Sequence, residues 1–313
     1  MGKCWEKFQT CFGNILDEND YYRKQLIFLK NIDRNVLLYG ARGFPTDLFI
    51  DEMMKNNFSL KNITKQQCLI NKDIQYLHHP CFIEVDLSHP SCSKNIPNLF
   101  KFIIGIIVNK NIHNAKHTII IKHIDVLKPL EYNSLRILLE KYSKNANFVC
   151  STHKLDKIDV PVKSRFTLLR MPLFNHAEIK DIFKNKLNTE LNTFLVKMKT
   201  RDIIYAIFIH DILDESDDIT EDFVTLRFPP IKTFLLSIKK PKNNLISIRE
   251  FSYKCFQYNI SIGDILCDML KLVSNDKKRL IIQCAANMDH LLNTTNKGRE
   301  PLYIESLLCQ VLV

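Results

Sequence analysis

Glycine is scarce in this chain, 7 among 313 residues, and there is one tryptophan. No stretch is low in complexity and no internal repeat is visible, which excludes collagen-like, linker-like and solenoid designs. Long apolar runs are missing too. The most apolar segment, LFKFIIGIIV at 99–108, carries Lys101 and is too short to cross a bilayer, so no membrane is expected as a partner. The opening MGKCWEKF has no apolar core of a secretory signal, and Glu6 stands where a myristoylated Gly2 would want Ser or Thr. Ten cysteines are present, but no C-x-x-C and none of the paired spacings of a zinc finger. His78, His79 and Cys81 lie close together without a second ligand pair. No metal site is expected. Scattered cysteines without a leader fit a reducing compartment, cytosolic or nuclear. G-x-S-x-G is absent, and Cys150 with His153 just after an apolar run reads as a buried thiol rather than a nucleophile.

What is present is an ordinary globular composition, 46% hydrophobic and 25% charged, long enough for two or three domains. The formal net charge of +10 favours an acidic partner such as nucleic acid. Lys24, Lys110 and Lys116 add to that charge in the N-terminal part, whereas the acidic run 214–222 reads as a solvated loop.

Continuous apolar runs end sharply at 35–39, 81–86, 118–121, 147–151 and 168–171. Such runs predict buried strands of a parallel sheet. Helical periodicity lies before and between them, at 20–30, 47–56, 97–110 and 130–144. Alternation of this kind argues an α/β fold, a doubly wound parallel sheet with helices on both faces. From 175 onward only helices are expected, at 176–185, 191–199, 201–213, 230–238, 245–258, 263–273, 277–293 and 300–311, with breaks at Pro229-Pro230 and 239–244. The expected organisation is an α/β domain over 1–171, a helical lid over 172–228 and an all-α domain over 229–313.

Strand, glycine turn and helix at 35–56 is where a phosphate-binding loop would stand. In the working pattern G-x-x-x-x-G-K-[ST], backbone amides cradle phosphate, the lysine neutralises it and the hydroxyl holds Mg²⁺. Here the segment from Gly40 to Asp47 reads GARGFPTD. Gly40 and Gly43 remain, but Pro45 replaces the second motif glycine and removes a donor. Thr46 stands for the lysine, and Asp47 for the hydroxyl. An ATPase strand of this build ends in Asp-Glu; here Ile119-Ile120-Ile121 runs into Lys122-His123. A Mg²⁺·ATP site is not expected from these residues.

Trp5-Glu6-Lys7-Phe8, Leu37-Leu38-Tyr39-Gly40, Asp125 with Leu127, Leu135-Arg136, Glu140-Lys141-Tyr142 and Pro161 with Ser164-Arg165 stand in one order along the chain. Together they resemble the small subunits of the clamp loader replication factor C, within the AAA+ ATPases. Leucine-rich segments at 280–292 and 302–312 resemble the last helices of the family's collar, which makes 229–313 the expected oligomerisation domain. The segment 60–80 is similar to that of the subunit type that does not hydrolyse ATP but offers an arginine finger to its neighbour.

The resemblance implies that Arg165, with Ser164 beside it in place of the family's S-R-C (Phe166 replaces the Cys), reaches the γ-phosphate bound by the next subunit. The guanidinium is always charged and can bridge phosphate oxygens during transfer. It implies that His153 holds the sensor position after the second buried strand, and that the lid helix lacks its sensor arginine, Ile204 being the nearest motif position. Arg136 would support an interface or face DNA. Gly40, Gly43, Thr46, Asp47, Lys122, His123 and His153 would be a vestigial nucleotide site, empty of cofactor or holding residual ADP. Mg-ATP would sit in the neighbouring subunit. The implied partners are other AAA+ subunits in a hetero-pentamer, a sliding clamp, and primer–template DNA held by phosphate contacts. The compartment would be nuclear, or cytoplasmic for a viral chain. A scaffold that kept the AAA+ shape without any part in ATP chemistry is the alternative.

Overall fold

The computed structural model describes residues 2–30, 33–70, 74–109, 116–191, 195–196, 200–215, 245–257, 262–294 and 299–312. The expected helix at 230–238, the acidic run 214–222 beyond residue 215, both expected breaks, the 228/229 boundary and Lys110 lie outside them. The chain forms two compact units, 1–212 and 213–313.

Two helices open the first unit, α1 (Lys3–Glu18) and α2 (Asp20–Phe28). Asn19 starts α2 by accepting the Tyr21 N–H at 3.1 Å. The sheet then follows: β1 (Val36–Tyr39), β2 (Gln66–Ile70), β3 (Ile74–His79), β4 (Phe82–Asp86), β5 (His117–Lys122), β6 (Ala146–Thr152) and β7 (Thr167–Arg170). The helices between and after the strands are α3 (Thr46–Phe58), α4 (Pro90–Ser93), α5 (Ile96–Val108), α6 (Pro129–Lys141), α7 (Val160–Lys163), α8 (His176–Ile182) and α9 (Ile203–Glu215). A π-helical segment, Phe183–Leu187, extends α8.

The seven strands lie in the order β2-β3-β4-β5-β6-β1-β7. From β4 to β7 all neighbours are parallel, as the unbroken apolar runs predict. The sheet is not wholly parallel, however. β2 pairs antiparallel with β3, and β3 antiparallel with β4, making a hairpin edge from 66–79. The expected α/β sheet is thus parallel-dominated, with an antiparallel edge added to it. The segment 66–70 shows mostly exposed or half-exposed residues, and an edge strand solvated on one side carries no continuous apolar run to reveal it.

Side chains alternate across the sheet and divide its two faces. Ile83, Val85, Ile119, Ile121, Phe148 and Cys150 point to one face. There they pack with Leu99, Ile103 and Ile107 of α5 and with Tyr132, Leu135 and Leu139 of α6. An aromatic cluster of Phe8, Phe12, Tyr22, Phe44, Phe49 and Phe174 links α1 and α2 to α3 and the segment after β7, with ring centroids 5.1–6.5 Å apart.

The second unit is all-α among its described residues: α10 (Leu245–Gln257), α11 (Ile262–Leu272), α12 (Asn275–Thr294) and α13 (Glu300–Leu312). Its core is Ile248, Phe251, Ile265, Met269, Ile281, Met288, Ile304 and Leu308. Arg249 on α10 grips Glu305 on α13 through two nitrogens at 3.1 and 3.2 Å. No described helix is long and apolar enough to cross a membrane.

Candidate functional site

The turn after β1 is shaped by two glycines. A Cβ at Gly40 would stand 2.2 Å from the Met171 carbonyl oxygen, so β7's exit excludes any side chain there. Gly43 has φ +103° and faces Asp202 at the start of α9, where a Cβ would meet the carboxylate within 2.6 Å. Asp202 itself caps α9 through the Tyr205 N–H at 2.8 Å. Pro45 precedes α3, and the Thr46 N–H and hydroxyl both turn back to the Phe44 carbonyl, at 2.8 and 3.4 Å. Thr46 is therefore spent on its own turn.

Lys122 ends β5 in register with Asp86 of β4. Glu84 stands two residues before Asp86 and so shares that face of the sheet. On α3, Asp47 and Asp51 are four apart and point the same way. These side chains form one ion network. Lys122 Nζ pairs with Glu84 and lies 2.9 Å from Asp47 Oδ1. The second Glu84 oxygen takes Lys65 Nζ at 2.6 Å, and Lys65 reaches Asp51 at 2.5 Å. Glu84 is 2% exposed and Lys122 7%. Burial alone would pull the Lys122 ammonium down, but Glu84 and Asp47 outweigh it and hold the pKa above the ordinary lysine value. Burial pushes the Asp51 carboxyl up, and Lys65 offsets this only in part. Two ammoniums thus face three carboxylates where the glycine turn meets the sheet.

His123 follows in the left-handed region, φ +56°, its N–H donating to Ser151 Oγ at 3.4 Å. Its ring lies 5.3 Å from that of His153, and His153 Nδ1 is 3.2 Å from the Gly40 carbonyl. Thr152 Oγ1 donates to Asp125 at 2.9 Å. The structure therefore brings Gly40, Asp47, Lys122, His123 and His153 to one end of the sheet. Ile204 is exposed on α9, and Arg201 turns instead to the carbonyls of Leu173 and Phe174, at 3.4 and 3.5 Å.

Arg165 belongs to a separate corner. It follows α7, and its guanidinium bonds Glu140 of α6, the Pro161 carbonyl and Ser164 Oγ, the last at 3.0 Å. Ser164 Oγ donates to the Pro161 carbonyl at 3.0 Å. The Arg165 side chain is one-third exposed, and that of Glu140 nearly half. Arg136 lies one turn before Glu140 on α6. It is half-buried, and its Nε is buried without a hydrogen-bond partner among the described residues, so it is not the wholly solvated arginine that an amphipathic helix alone would imply.

Sequence reasoning missed three members of the ion network. Glu84 left a signal, a carboxylate in the middle of the apolar run FIEVD. Lys65 and Asp51 left none, because nothing in a linear pattern joins a loop lysine to a helix aspartate. Glu140 was visible only as part of a motif, not as the partner of Arg165.

No family model matches the chain. The chain is similar to replication factor C subunit 5 of Saccharomyces cerevisiae, strain S288c, with 24% identity over 204 residues, or 57% of this chain and 56% of the relative. It therefore matches little more than half the length of that curated relative. Among solved structures, a DNA polymerase III gamma subunit-related protein from Thermotoga maritima aligns over 92% of this chain and 97% of its own, with 11% identity and a TM-score of 0.48.

Proposed function

We propose that this chain is a clamp-loader subunit of the replication-factor-C kind that does not hydrolyse ATP itself and lends Arg165 to a neighbouring subunit's Mg-ATP. The observation that carries the first half is the ion network in which buried Lys122 pairs with buried Glu84 and with the exposed Asp47 at the start of α3. Mg²⁺ at a nucleotide needs hard oxygen ligands free to coordinate it. Here an ammonium occupies the carboxylates nearest the turn, and Thr46 bonds its own backbone. Asp47 in the first turn of α3 also opposes a phosphate at that helix end, where an anion would otherwise be welcome. The likeness to replication factor C subunit 5 and the helical C-terminal unit support membership of a ring of AAA+ subunits, a hetero-pentamer. The ring would act on a sliding clamp and primer–template DNA, the latter through phosphate contacts. The test is direct: the purified chain, given Mg·ATP, turns none over, and appreciable turnover that persists through purification would sink the reading.

A second reading, an AAA+-derived scaffold with no part in ATP chemistry, draws on the Arg165 corner. There the guanidinium is already held by Glu140 and the Pro161 carbonyl of its own chain. Arg165→Ala in the assembled complex separates the two: unchanged ATP hydrolysis favours the scaffold, and a large loss the finger.

A further inference from the structure

The first turn of α1 and the later part of α9 meet at Cys4, His210 and Asp211. One ligand-type atom from each, a thiol sulfur, an imidazole nitrogen and a carboxylate oxygen, lies within 4.8 Å of the other two. Cys4 is buried, and His210 and Asp211 are half-buried. The Asp211 carboxylate accepts the backbone N–H groups of Cys4 at 2.9 Å and Trp5 at 3.2 Å, one on each oxygen. A carboxylate has about four acceptor sites, so half remain for another partner while the amides fix its orientation. Independently, His210 Nδ1 is buried with no hydrogen-bond partner among the described residues. A buried ring nitrogen in that state asks for a partner, and an ion is one. The ring also lies 5.4 Å from that of Phe183, which limits how far it can swing away.

We propose that Cys4, His210 and Asp211 bind one Zn²⁺ ion, with the fourth position left to water or to a donor from outside the chain. Mixed sulfur, nitrogen and oxygen ligands suit Zn²⁺ rather than Mg²⁺ or Ca²⁺. Because 207 residues separate Cys4 from Asp211, the ion staples the start of the unit to α9. No spacing rule could find the site, since such rules see only ligands close along the chain. The proposal is independent of the clamp-loader reading.

The test uses the full chain, stripped of metal by a chelator and kept reduced. Titrated Co²⁺ is expected to bind at about one equivalent with a sulfur-to-metal charge-transfer absorption, and Zn²⁺ to displace it. Cys4→Ser removes that absorption, and Cys4→Ser and His210→Gln each weaken binding by at least about tenfold. Zn²⁺ raises the melting midpoint of the unaltered chain but not of the variants. Asp211 is left intact because it also caps α1. Should Cys4→Ser fold poorly by circular dichroism, His210→Gln decides alone. Absorption and affinity retained in His210→Gln would assign the metal to other cysteines and overturn the proposal, as would an unaltered chain indifferent to either metal.

Discussion

The two arginine- and lysine-bearing corners of the first unit differ in one physical respect, access to water. At the sheet end, Lys122 and Glu84 are buried, and each charge is held by partners in its own chain. At the α6–α7 corner, Arg165 and Glu140 are paired as closely but remain wet. Breaking a buried pair by removing one partner costs about 3–5 kcal/mol, because the other charge is stranded. An exposed pair is worth about 0–1 kcal/mol. The Lys122–Glu84 pair is therefore costly for an incoming ligand to break, and the Arg165–Glu140 pair can be traded for one. An arginine held by a wet glutamate can exchange that partner for a neighbour's phosphate at little cost, so the bond to Glu140 by itself does not separate the finger from the scaffold.

The sharpest way to break this contrast is Arg165→Ala in the reconstituted complex. Hydrolysis is expected to fall by a factor on the order of 10²–10³ or more, read as steady-state turnover, while the chain's own melting midpoint scarcely moves. Next comes Glu84→Gln, which removes the buried charge shared by Lys122 and Lys65 and leaves Lys122 only the exposed Asp47. A loss of about 3–5 kcal/mol in urea unfolding is expected, and a loss under about 1 kcal/mol would show the network to be solvated after all.

The pH dependence sharpens the same point. Because the Lys122 pKa is raised on folding, its contribution is complete below the ordinary lysine value, roughly 10.4, and fades as pH climbs through the higher folded value. Subtracting the unfolding free energies of Lys122→Met from those of the unaltered chain between neutral and strongly alkaline pH should show a flat difference that shrinks only at the alkaline end. The smallest effect belongs to Glu140→Ala, about 1 kcal/mol or less in stability, with turnover of the complex preserved or slightly raised as Arg165 is freed.

Much of this architecture is legible in the chain. The unbroken apolar runs at 81–86, 118–121 and 147–151 predict parallel strands within a residue or two, because a strand covered on both faces has no polar side to interrupt it. Gly40, Lys122, His123 and His153 each stand at or just beyond the end of a strand, and the family resemblance joins Gly43 to them. The hairpin edge at 66–79 is not legible in that way, because half-exposed strands carry no such run. The helix 3–18 was likewise masked: its first residues read as a motif, although Phe8, Phe12, Ile15 and Leu16 bury one face.

The sequence by itself determined the α/β class, the helical C-terminal part and which residues stand at the glycine turn and at the end of β5, for these depend on residue type and order along the chain. Only the tertiary structure decided how those residues pair. That Lys65, Glu84, Asp51 and Asp47 gather around Lys122, that Glu140 holds Arg165, and that Cys4 meets His210 and Asp211 are consequences of packing. Charge and ligand chemistry act over a few ångströms in space, and separation along the chain does not measure that distance.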